Sequence, residues 1–159
     1  MNDTRRAMLK AILWGGLLAS TIDVFAASTI SWVNPLRVLR FIAGGLLGAP
    51  AFSGGLGMAS LGLLLQWLMG IIIAAIFVTA WRRLAWMHRD WRLTGVAYGV
   101  VIQFVMVYVV VPLSAIPPRD PKPPFDPVRF GENLLAMVLF GLIVAWFAQR
   151  YLPRPAAKT

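Results

Sequence analysis

The sequence predicts an all-α fold: a four-transmembrane-helix bundle with a short amphipathic or re-entrant helix between the first and second spans. Three observations predict it. Hydrophobic residues make up 59% of the 159 and charged residues 13%, against about half and about a quarter in a soluble domain. Mean hydropathy is +0.74. The apolar residues gather into four runs, each at least as long as the roughly 20 residues a helix needs to span hydrocarbon. The length suits a single membrane domain over residues 1–159.

Each element has local signals. The first span is expected over about residues 7–33, with Asp3 or Thr4 as its cap and Asn34-Pro35 as its stop. Residues 35–48 form the short helix. Arg37 and Arg40 lie one turn apart on it, with Leu36, Leu39, Ala43, Leu46 and Leu47 largely opposite, the pattern of a helix at the membrane interface. The second span is expected over about 57–81, ending before Arg82-Arg83. Asp90 caps the third, over about 91–115, with Pro112 bending it near its end. Asp126-Pro127 opens the fourth, over about 127–152. Residues 116–127 carry six prolines, at 117, 118, 121, 123, 124 and 127, and predict a stiff extended loop outside the bilayer.

Orientation follows from the basic residues. Ten of the 15 Lys and Arg fall on the side holding the two termini and the loop between the second and third spans; five fall on the other. Basic loops stay cytoplasmic, so both termini are expected inside a bacterial inner (plasma) membrane. Trp32, Trp81, Trp86 and Trp91 fall near the expected interfaces, where aromatic belts sit. The net charge of +9 lies in short segments between apolar runs. It therefore points to anionic lipid headgroups and not to nucleic acid. Thr4-Arg5-Arg6-Ala7-Met8-Leu9-Lys10 has the look of a twin-arginine export signal. Asp23 within its apolar core, and a remaining chain that is itself membrane-spanning, argue against one.

There is no cysteine and one histidine, His88, in a basic loop, so no metal site and no cofactor are expected. Nor can a Ser/His/Asp arrangement be assembled, and no enzyme is expected. The candidate site is a polar cluster inside the spans. Asp23, Gln66, Gln103 and Asn133 fall at similar depth, each on a run of small residues at four-residue spacing: Ala11-Gly15-Ala19-Asp23, Gly62-Gln66-Gly70-Ala74, Gly95-Gly99-Gln103 and Asn133-Met137-Gly141-Ala145. Small residues let helices approach closely in lipid, so all four polar groups are expected to face inward together, with Ser20, Thr21 and Ser114 nearby. Either Arg37 or Arg40 neutralises Asp23 or the acid is protonated, as a bare charge inside a membrane is costly. Gly95 and Gly99 either pack within the chain or join a second copy in a homodimer or larger complex. Two roles suit these features: a structural or accessory membrane subunit held together by the cluster, or a small-molecule or lipid transporter or binding protein with its site at Asp23.

Thr21-Ile22-Asp23, Asn34-Pro35-Leu36-Arg37-Val38-Leu39-Arg40, Ala43-Gly44-Gly45-Leu46-Leu47-Gly48 and Val111-Pro112-Leu113-Ser114 together resemble a group of small, uncharacterised four-helix inner-membrane proteins of bacteria. The resemblance implies fold and location and no activity. Members of the group often carry histidine where this chain has Gln66 and Met137, so a metal or proton-relay role for those histidines would not extend to this chain.

Overall fold

The computed structural model describes residues 3–117 and 124–152. Among them the chain forms five helices and no strand: α1 (Asp3–Ser31), α2 (Pro35–Leu47), α3 (Leu56–Arg83), α4 (Trp91–Leu113) and α5 (Pro127–Tyr151). Short 3-10 turns over Ala49–Ser53 and Ala85–His88 join α2 to α3 and α3 to α4. α1, α3, α4 and α5 are each long and apolar enough to cross a membrane. The chain is a four-helix bundle with α2 laid against one end.

Polar caps set the helix starts. Asn34 Oδ1 accepts from Leu36 N at 2.9 Å, with Pro35 in the first turn of α2. Asp90 Oδ1 accepts from the amides of Arg92 (2.8 Å) and Leu93 (3.3 Å), and Asp126 Oδ1 from those of Val128 (3.0 Å) and Arg129 (3.1 Å). Each bond satisfies an amide that the helix itself leaves free. Asp3 and Thr4, expected as caps, lie inside the first turn of α1, where the Asp3 carboxylate favours the positive end of the helix. α1 ends in a Schellman turn: Val33 N donates to Ser28 O and Trp32 N to Thr29 O, with Trp32 at φ 53°. Pro112 acts earlier than expected. Residues Met106–Val110 of α4 wind as a π-turn, which accommodates a proline that has no N–H to give to the preceding turn. Most of the proline-rich loop, with Arg119 and Lys122, lies outside the described residues.

Small residues set the packing. α1 lies between α3 and α5, α5 pairs with α4, and α2 rests on α3. A Cβ on Gly16 would come 2.8 Å from the Gly70 carbonyl oxygen across the α1–α3 seam. A Cβ on Gly62 would overlap the Leu39 carbonyl of α2, and one on Gly99 the Met137 carbonyl of α5. The Gly95–Gly99 pair is thus consumed inside the chain. The main core, around Phe77, Trp81, Ile102, Phe140 and Val144, fills the half of the bundle away from α2, and a smaller one of Val24, Leu39 and Ala59 sits beneath α2.

Candidate functional site

The α1–α3 seam carries the polar residues that meet. Ser20, Thr21 and Asp23 of α1 face Gln66, Trp67 and Gly70 of α3. Gln66 Nε2 donates to Asp23 Oδ2 at 2.9 Å, the one polarity an ionised carboxylate allows. Trp67 Nε1 donates to Thr21 Oγ1 at 3.1 Å, while the hydroxyls of Thr21 and Ser20 donate to carbonyls of their own helix, Leu17 (2.8 Å) and Gly16 (2.7 Å). In lipid every such donor must find its acceptor within the protein, and here each does. Gly70 makes the approach possible, since a Cβ there would collide with Ser20 Oγ.

Asp23 and Gln66 look into a small space of about 30 Å³, walled by Met69, Ile73, Ile102, Met106, Met137 and Phe140. Asp23 Oδ1 and Gln66 Oε1 make no hydrogen bond among the described residues, and neither is sealed from contact. The pair can clasp two helices, and it can accept two further hydrogen bonds. Among the described residues no basic side chain shares the space, and its one hydroxyl, Ser20 Oγ, is spent on the Gly16 carbonyl.

The other expected members of the cluster lie elsewhere. Gln103 is buried on the face of Gly95 and Gly99, one turn beyond them, and is not part of the wall around Asp23. Asn133 Nδ2 turns back to the Arg129 carbonyl of its own helix at 2.7 Å. It lies one turn beyond Met137, where the glycine-mediated contact between α4 and α5 stands. Equal depth does not confer equal azimuth, because a four-residue step drifts about 40° around a helix. Nor does a basic residue neutralise Asp23 among the described residues. The one ion pair among the described residues is Arg129–Asp126, at 3.9 Å. α2 sets Leu39, Ala43 and Gly44 inward, which leaves Arg37 exposed and Arg40 half-buried, with no partner for its Nε among the described residues.

Two features were invisible from residue spacing. His88 is half-buried, its ring 4.6 Å from that of Trp81 and its Nδ1 enclosed with no partner among the described residues. Tyr98 reaches across from α4 to donate to the Ile73 carbonyl at 2.7 Å. In an apolar span, a tyrosine or tryptophan is the signal for such a bond, because its polar atom cannot stay bare.

The fold and its apolar spans define a multi-pass α-helical membrane protein. No protein-family model, no curated protein and no solved structure matches the chain.

Proposed function

We propose that the chain is a non-catalytic structural or accessory subunit of a bacterial inner membrane, with both termini cytoplasmic. The observation that carries this reading is the Asp23–Gln66 clasp. The chain's one intramembrane acid is engaged across the α1–α3 seam, beside a space of about 30 Å³ that holds little more than water. A catalytic centre would need a second reactive group, and a solute pathway would need a polar passage. The described groups instead resemble the interhelical hydrogen bonds that fix helix register in lipid. The orientation rests on the excess of Lys and Arg at the end that holds both termini. The exposed apolar faces of the spans suit lipid or a partner's helices, and Gly95–Gly99, being buried against α5, is not offered to a second copy.

The test compares Asp23→Asn, which keeps a hydrogen-bonding side chain, with Asp23→Leu and Gln66→Leu. Thermal stability and native size are read in mild detergent. Each Leu variant should lose stability, the Asn variant much less. Asp23→Leu retaining both stability and native size would sink the reading. Because the chain has no cysteine, single cysteines placed at Thr4 and Gly55 report sidedness directly. Labelling of Gly55→Cys alone by an impermeant maleimide from the periplasm is the expected pattern.

A further inference from the structure

The ring of helices is not closed. α4 packs on α5, and α3 on α1 and α2, so no backbone-to-backbone seam joins α3 to α4 although they follow one another in the chain. Tyr98, through the Ile73 carbonyl and its ring 4.8 Å from that of Phe77, bridges them in the half away from α2. Towards α2 the gap is open, and the end of α4 is tied to α2 where Ala115 N donates to the Gly45 carbonyl at 2.8 Å. The space beneath is a groove of about 560 Å³, lined by Phe41 and Gly45 of α2, Leu68 and Ile72 of α3, and Val109 and Leu113 of α4, among others. That volume falls within the roughly 300–1,000 Å³ of ordinary small-molecule sites.

The chemistry at the back of the groove selects an occupant. Met69 and Met106 belong both to its wall and to the wall of the small space that holds Asp23 and Gln66. Methionine side chains are unbranched and adaptable, so this partition can yield. Met106 also heads the π-turn, a distortion that recurs at functional sites. Behind the partition stand two unused acceptors, Asp23 Oδ1 and the Oε1 of Gln66, a residue 6% exposed. The groove carries no charged side chain, and its one hydroxyl, Ser114 Oγ, donates to the Val111 carbonyl. Among the described residues a phosphate or carboxylate head would find no cation there, and a space of about 30 Å³ is too small for a ring.

We infer that the groove binds a single-chain lipid ending in a hydroxyl, a long-chain alcohol, whose chain lies between α3 and α4 under α2. Its hydroxyl passes Met69 and Met106 and donates to Asp23. The site is independent of whether the chain serves as an accessory subunit.

Purified protein is titrated with hexadecan-1-ol, hexadecyl methyl ether and hexadecane, with thermal unfolding as the readout. The alcohol should bind roughly tenfold more tightly than the ether, since one hydrogen bond to the Asp23 carboxyl is at stake. In Asp23→Asn the Gln66 amide holds the asparagine oxygen, which leaves an N–H facing the ligand. The preference for alcohol over ether should then fall, Gln66 Oε1 being the one acceptor left. Leu68→Trp, at an exposed position of the lining, should abolish binding of all three without touching the clasp. Equal binding of alcohol, ether and hexadecane to the wild type would make the groove a crevice for any acyl chain and overturn the assignment. An alcohol-to-ether ratio unchanged in Asp23→Asn, or no saturable binding, overturns it too. These ratios do not depend on the stability of the Leu variants, so either proposal can fail alone.

Discussion

Gly141 of α5 lies so close to Gly95 of α4 that a Cβ built on it would overlap the Gly95 carbonyl oxygen. The two backbones touch because neither residue carries a side chain, and the same holds one turn on, where Gly99 meets the Met137 carbonyl. In lipid, where apolar side chains gain little by leaving the solvent, such contact is a principal source of helix association.

Gly141→Ala should therefore destabilise the bundle by about 1–3 kcal/mol, as overpacking forces backbone shifts. Gly131, in the same helix, has open space around its Cβ direction. Gly131→Ala should stabilise by about 0.5–1 kcal/mol, the ordinary gain of alanine over glycine in a helix. Chemical unfolding in mixed micelles measures both, and equal effects would refute the seam.

The Asp23–Gln66 bond predicts a coupling of about 0.6–1.7 kcal/mol between the two positions, the range met by interhelical hydrogen bonds in membranes. It is obtained from the double-mutant cycle of Asp23→Leu, Gln66→Leu and their combination. Asn133→Leu, combined with Asp23→Leu, should be additive within about 0.5 kcal/mol, as separated sites are. A coupling between Asp23 and Asn133 equal to that with Gln66 would restore the four-membered cluster.

Tyr98→Phe removes the hydroxyl that holds α4 to the Ile73 carbonyl and keeps the ring against Phe77. A loss of about 1 kcal/mol is expected, the usual worth of one hydrogen bond. Hydrogen exchange should quicken at α4 amides around Tyr98, while α1 amides around Gly16 stay protected. Uniform quickening along all four helices would show that this bond holds the whole bundle and not the α3–α4 gap.

Trp32 sits at φ 53°, where glycine is at ease and tryptophan is strained, and its side chain is 91% exposed. Trp32→Gly should raise stability in detergent micelles by about 1 kcal/mol, the cost of the left-handed conformation for a residue with a Cβ. The same change should lower retention in bilayers if the indole anchors α1 at the interface. Scans in micelles and in vesicles separate the two effects.

The spans and their starts were legible in the sequence because their causes are local. Twenty or so apolar residues must be helical in lipid, since no other backbone satisfies its own polar groups there. Asn34, Asp90 and Asp126 cap helices through amides two or three residues away. The stripes of small residues named most of the packed faces for the same reason, as Gly62, Gly70, Gly95, Gly99 and Gly141 can be read as places where a backbone can come close, although Gly16, beside the named Gly15, was not among them. The tertiary structure alone decided which polar groups meet. Gln66 reaches Asp23, while Gln103 stays on the α4–α5 face and Asn133 bonds its own helix, because azimuth and the order of helices around the bundle are set by packing across it. The open side between α3 and α4 has the same origin. Nothing local in either helix records that α4 lies on α5, and a gap between two elements exists only once every other pairing has been made.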